Sequence, residues 1–316
     1  MVSFRSILKI IYAAEQYEGA GAIVRRSLGT MGMRHFTPFL MLDHFNSSEE
    51  VGFPDHPHRG QETVTLLLNG HMLHEDFTGS QGVLNPGDLQ FMTAGEGIVH
   101  SEMPYSEDGS NVEVMQLWVD LPVELKHCEP RYRDLRAAEV PIAKPNDKVQ
   151  VKVISGQSYG VESVKDLAYT PMDYYHYTVQ PGGEFVQEIP EDFNAFLYIL
   201  HGSLLLNTEV VKEHNSVFFN RDGSALSGSV PEDSKTTEFV VIAGKALDQP
   251  IYQYGPFVET SKAGINQAFF DYQMGINGFE RAKGWESEIG HGVTPKLVKT
   301  ISQRQEDAGK LQKDEL

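Results

Sequence analysis

Two strand-like segments 132 residues apart constrain the fold more than any other feature. Residues 62–71, ETVTLLLNGH, and 194–203, NAFLYILHGS, are each apolar and each close on a glycine, Gly70 and Gly202. β-Branched, aromatic and aliphatic side chains suit a buried pleat, and a terminal glycine admits a tight turn. The turn before the next strand also repeats, residues 86–91 against 214–218, at a slightly shorter offset. A unit that recurs in order points to duplication of one β-domain. Residues 112–119 read as a further strand, and Asn85-Pro86-Gly87-Asp88 and Gly95-Glu96-Gly97 supply turn chemistry. Many short strands with regular turns make a sandwich or barrel, so the expected fold is all-β. A chain of 316 residues accommodates two such domains, at about 150 residues each. Pro141, Pro145, Asn146 and Asp147 read as a linker, which gives domains of 1–140 and 141–316. Helical periodicity appears only within residues 263–284, where Ile265, Ala268, Phe269, Tyr272 and Ile276 recur at three- and four-residue steps. One or two short helices are expected there, in a helical tail to the second domain.

Charge narrows the class of function. Acidic residues number 44 against 26 basic ones, a net charge of -18, which disfavours the clustered cationic surface that direct nucleic-acid binding needs. Residues 1–34 carry a local charge of +3, read as a solvated first strand rather than a contact patch for an acidic partner. The single cysteine, Cys128, closes no disulfide within the chain and fits a reducing compartment. No apolar run approaches the roughly 18 residues of a membrane helix. The sequence ends Lys313-Asp314-Glu315-Leu316, the address of ER retrieval, but residues 10–14 are too short for a secretory signal. The address is therefore expected to be inert, and the chain to be cytoplasmic and nuclear.

The chemistry lies in two dyads, His56 and His58 in FPDHPHRG, and His100 and Glu102 in GIVHSE. Residues two apart on a strand share a face, so each dyad projects two ligand-type side chains one way. Three imidazoles and a carboxylate, without thiolate, suit an open site for iron, manganese, copper or nickel and not a structural zinc centre. Glu62 shares parity with His56 and His58 and competes with Glu102 as the carboxylate, unless Gly60 bulges it away. His71 and His74 have odd spacing and are not expected to share a metal. Arg59 reads as a clamp beside the ligands, and Gln116 as a possible lining residue.

Residues 53–70 (FPDHPHRGQETVTLLLNG), 74–104 (HEDFTGSQGVLNPGDLQFMTAGEGIVHSEMP) and 116–122 (QLWVDLP) resemble the amino-terminal cupin domain of the pirin family. YGPFV at 254–258 and INQAFFDYQMGINGFERAKGW at 265–285 resemble its carboxy-terminal segment, so the likeness runs over nearly the whole chain and is closest to eukaryotic members. It implies a bicupin, two antiparallel β-barrels (jelly rolls) face to face with short C-terminal helices. It also implies one iron held by His56, His58, His100 and Glu102, with manganese, copper, nickel or zinc as substitutes, and so selects Glu102 over Glu62. Gln61, Asn69 and Glu96 stand where other members often carry an aromatic, an acidic and a basic residue, and the terminal address is not a family feature. Two activities follow from the resemblance. One is a flavonol (quercetin) 2,3-dioxygenase, in which the metal holds a deprotonated 3-hydroxyl, Glu102 is ligand and catalytic base, and the ring is cleaved by dioxygen with loss of carbon monoxide. The alternative is a redox-sensitive coregulator that meets a nuclear transcription factor complex through protein contacts. Neither needs nucleic acid or membrane as direct partner, and a monomer is expected. The repeat itself places Glu188 and Pro190 opposite His56 and His58, and Ser227 and Ser229 opposite His100 and Glu102. That set offers no comparable metal site, and the second barrel is assigned a structural role.

Overall fold

The computed structural model describes residues 2–47 and 51–314. Apart from isolated bridges, the described strand pairings are antiparallel, and they build two compact units, each from separated stretches of chain. One comprises Met1–Ala14, Arg25–Leu42 and Ala138–Asp248, and the other Glu15–Val24, Asp43–Ala137 and Gln249–Leu316.

In the first unit, one sheet takes its seven strands in the order Ile7–Tyr12, Asn215–Phe219, Phe193–His201, Thr237–Lys245, Met172–Val179, Val149–Ser155 and Ile142–Asn146. A four-stranded sheet runs Glu184–Glu188, Ala225–Ser229, Ser203–Leu206 and Glu209–Lys212. Its core includes Tyr175, Tyr177, Phe185, Leu197, Phe239 and Val241, with Tyr177 stacked on Phe239 at 4.9 Å between ring centres. The stretch expected to join the domains contributes the Ile142–Asn146 strand, whose hairpin turn is tied by Lys148 N donating to Asn146 Oδ1 (2.9 Å).

The second unit holds a four-stranded sheet, Phe53–His58, Ile98–Tyr105, His71–Asp76 and Gln81–Leu84. Its larger sheet runs Arg131–Leu135, Leu89–Thr93, Gln61–Asn69, Val112–Asp120, Phe39–Ser47, Ala22–Leu28 and Ala14–Glu18. The two repeated segments, Gln61–Asn69 and Phe193–His201, take matching places in their sheets. Each precedes a glycine of positive φ, Gly70 (+76°) and Gly202 (+85°). Each glycine also lies against the first residue of the strand that pairs with its segment: a Cβ on Gly70 would meet Val112, and one on Gly202 would meet Thr237. The same turn, with the same steric need, is thus built twice.

The expected helical stretch resolves into one helix, α1 (Lys262–Met274). Ser261 caps it by accepting from Gly264 N (3.0 Å), and Gly275 ends it in the left-handed region at φ +65°. Beyond Gly275 the chain turns, with only a short 3-10 segment at Glu280–Ala282. Periodicity continues past the helix end because Phe279 stays buried in the same cluster as Ile265 and Ala268, without the backbone being helical. A second helix, α2 (Pro295–Asp314), places Ile301 against Leu73, Val83, Met103 and Tyr105. Glu315 and Leu316, the end of the retrieval-type tetrapeptide, lie outside the described residues. Among the described residues no helix is long and apolar enough to cross a membrane.

Candidate metal centre

The Phe53–His58 and Ile98–Tyr105 strands pair antiparallel with His56 opposite His100 and His58 opposite Ile98. Strand periodicity then turns His56, His58 and His100 to one face, inside the second unit. One ring nitrogen of each lies within 4.8 Å of the other two, the only such grouping of three potential ligands among the described residues. His56 Nε2 and His100 Nε2 are 3.0 Å apart. Two imidazole nitrogens at right angles on a metal, each at about 2.1 Å, would be about 3.0 Å apart, so the spacing suits adjacent ligands of one ion.

Hydrogen bonding at His56 and burial around the rings prepare them for that role. The Pro54 carbonyl can only accept, so His56 Nδ1, 2.9 Å away, carries the proton and leaves Nε2 bare in the neutral ring. Burial lowers the pKa of all three imidazoles, and repulsion by neighbouring histidines lowers His58 and His100 further. Neutral rings are what metal binding requires. His58 packs edge-on to Trp118 with ring centres 5.0 Å apart. Its Nδ1 is 2.8 Å from Gln61 Nε2, which also donates to Pro256 O at 3.0 Å. His100 Nδ1 is buried without a hydrogen-bond partner among the described residues. A neutral three-imidazole set, with His58 and His100 buried and His56 half-buried, fits a borderline transition metal.

Glu102 is two residues beyond His100 and buried. Its carboxylate is not part of the three-nitrogen group. Gln116 Nε2 donates to Oε2 at 2.9 Å, and the Thr65 hydroxyl lies between Oε1 (3.3 Å) and Gln116 Oε1 (2.8 Å). Burial pushes the carboxyl up to about 7 despite these bonds. Glu62 is placed elsewhere. It accepts from Thr93 Oγ1 at 2.7 Å, while its neighbours in parity opposition, Gln61 and Thr65, are the residues that reach His58 and Glu102. Gly60, at φ +75°, breaks the alternation between His58 and Glu62.

Arg59 is fully buried and does clamp. Nε donates to Glu96 O (2.6 Å), Nη1 to Asp271 Oδ2 (2.7 Å) and Nη2 to Asn277 O, and the guanidinium lies 4.8 Å over Phe279. The turn after His58 is thereby tied to α1 and the loop that follows it. Lys126, which sequence reasoning passed over, is equally buried and donates to Asp120 Oδ1 (2.6 Å), Gly60 O (2.8 Å) and Val258 O (3.3 Å). His71 lies apart, its Nδ1 3.1 Å from Asn85 Oδ1. His74 is inside after all: register sets it opposite Glu102, and Asp76 opposite His100. Spacing within one strand rightly separated His71 from His74 but carried no information about which residue His74 would face.

Known families match the chain in two segments. The family model described as Pirin matches residues 21–119, and that described as Pirin C-terminal cupin domain matches residues 174–278. A pirin-like protein of Solanum lycopersicum is 44% identical over 288 residues, covering 90% of this chain and 97% of the relative. Pirin of Homo sapiens is 42% identical over 298 residues, covering 92% of this chain and 100% of the relative. Among solved structures, a quercetin 2,3-dioxygenase from Acinetobacter baumannii aligns with a TM-score of 0.80 at 28% identity, covering 86% of this chain and 98% of that one.

Proposed function

The chain belongs to the pirin family, and from that premise we propose that it is a metal-dependent oxidoreductase of the flavonol 2,3-dioxygenase type. The observation that carries the reading is the trio of neutral imidazoles, His58 and His100 buried and His56 half-buried, with His56 Nε2 and His100 Nε2 3.0 Å apart. The likeness to a quercetin 2,3-dioxygenase at 28% identity over most of both chains supports the substrate class. His56, His58, His100 and Glu102 would hold iron, with manganese, copper, nickel or zinc as substitutes. The bound ion supplies Lewis acidity toward a flavonol 3-hydroxyl and redox access to dioxygen.

The chain's own residues do the rest. Glu102 would serve as both ligand and base, with one of its oxygens taking the 3-hydroxyl proton. Gln116 and Thr65 hold the carboxylate in orientation. Trp118, against His58, keeps that imidazole in place and water away from it. Burial pushes the Glu102 carboxyl up to about 7 with no cation beside it, and a bound ion would draw it back down and favour the carboxylate form that accepts the proton.

The test is oxygen uptake by the full chain, purified and loaded with iron(II) without air, on addition of quercetin. Quercetin-dependent uptake with release of carbon monoxide is expected, absent in His100→Ala. Uptake no greater than that of free iron, or undiminished in His100→Ala, would contradict the reading.

A further inference from the structure

Three side chains on the inward face of the second unit carry buried polar atoms without a hydrogen-bond partner among the described residues. These atoms are both ring nitrogens of His74, the Tyr132 hydroxyl and Asp76 Oδ2. His74 is 2% exposed and Asp76 1%. Buried polar atoms are seldom left unpaired, because each forfeits its bond to water, and several together mark a place where something else supplies the partner. These three are neighbours. His74 stacks on Tyr132 with ring centres 5.9 Å apart and planes 21° from parallel. The Tyr132 hydroxyl faces the Asp76 carboxylate, its nearest hydrogen-bonding group, at more than ordinary hydrogen-bond distance, and the Glu102 and Asp134 carboxylates also bear on it.

Register fixes where the group looks. His74 is opposite Glu102 and Asp76 opposite His100, so both share the face of the imidazole trio. Tyr132 pairs with Met92, which pairs with Thr63, two residues from Thr65 and on its face. On the other side of His74 the paired residue is Gly82, where a Cβ would come within 2.6 Å of His74 Nε2. The Gln305 side chain occupies that gap and backs the ring on this side, so the absence of a Cβ at Gly82 makes room for the Gln305 amide beside His74.

We propose that His74, Tyr132 and Asp76 form a hydroxyl-recognition subsite beside the imidazole trio. It binds phenolic hydroxyls that a polyhydroxylated aromatic ligand carries in addition to its metal-chelating 3-hydroxyl and 4-carbonyl. The inference rests on the flavonol reading above. His74 in any protonation state presents at least one N–H, Tyr132 presents an O–H, and Asp76 Oδ2 accepts. A phenolic hydroxyl both donates and accepts and satisfies such a set. A carboxylate or phosphate ligand would meet Asp76, Asp134 and Glu102 and is disfavoured.

The experiment titrates the full chain, loaded with iron(II) under argon so that no turnover occurs, with quercetin and with 3-hydroxyflavone, which keeps the chelating pair and lacks the other hydroxyls. In His74→Phe and in Tyr132→Phe, quercetin Kd is expected to rise about tenfold, or 1.4 kcal/mol. Iron content and 3-hydroxyflavone Kd should stay unchanged. His74→Gln, which keeps a donor and an acceptor, should restore most of the quercetin affinity. Tyr132→Phe removes a single oxygen and keeps the test valid if His74→Phe folds poorly. Quercetin affinity that falls no further than that of 3-hydroxyflavone in both Phe variants would overturn the subsite and leave the flavonol reading intact. A wild type that binds neither flavonol would overturn the flavonol reading, and the subsite with it.

Discussion

Glu62 and Glu102 are the same residue type at the same apparent parity, and what separates them is a backbone torsion at Gly60. Counting in twos from His58 brings Glu62 to the ligand face. The left-handed turn at Gly60 shifts the count by one and turns Gln61 and Thr65 inward instead. The three histidines were legible because both dyads lie within single strands, where alternation alone sets their faces. Gln61, Thr65 and His74 were not, since their partners lie on other strands and only cross-strand register brings them together. Gln116 could be suspected from its strand, but its bond to Glu102 could not. If Glu102 completes the metal site, Glu102→Gln weakens iron binding at least about tenfold. Glu62→Gln leaves it unchanged, because that carboxylate answers to Thr93. Iron content after dialysis against a graded chelator measures both, and the reverse order would remove Glu102 from the site.

The element that matters most is the turn between the Phe53–His58 and Gln61–Asn69 strands. Gly60 N donates to Gly95 O at 2.8 Å, Lys126 Nζ grips Gly60 O, and Val258 N donates to Arg59 O at 3.0 Å. A Cβ at Gly60 would run into the Val258 carbonyl. Gly60→Ala is therefore expected to cost at least about 2 kcal/mol, from strain at positive φ together with overpacking. Gly79 makes the control: its φ is +94° but a Cβ there meets nothing within 4 Å, so Gly79→Ala should cost only about 1 kcal/mol. Urea unfolding compares the two, and equal losses would show that the contact with Val258 carries no weight. The sequence marked a glycine beside the ligands but not its neighbour, because Val258 comes from the segment that leads into α1, almost two hundred residues later. For the same reason periodicity overran the end of α1: Phe279 keeps the helical spacing by packing back into the cluster of Ile265.

At the scale of the whole molecule, the duplication was legible and the assembly of each half was not. The repeat at Gly70 and Gly202 reports a turn that local sterics impose twice. No local pattern assigns Ile7–Tyr12 to a strand beside Asn215–Phe219, more than two hundred residues away, where it forms the edge of the seven-stranded sheet. Nor does any local pattern tie Gln249–Leu316 to the unit that holds the histidines, although Arg59, Gln61 and Lys126 all bond to that segment. Only the unit that gathers His56, His58 and His100 carries such a trio among the described residues, while Tyr175, Tyr177, Phe185 and Phe239 pack the core of the other. The central claim is that one metal sits on the three imidazoles and Glu102. Iron analysis combined with X-ray absorption on the full chain, reconstituted with iron(II) in the absence of air, tests it most directly. The expected result is about one iron per chain, with three imidazole nitrogens at about 2.1 Å and a carboxylate oxygen in its first shell. Iron that is substoichiometric, that lacks imidazole, or that persists in His100→Ala would contradict it.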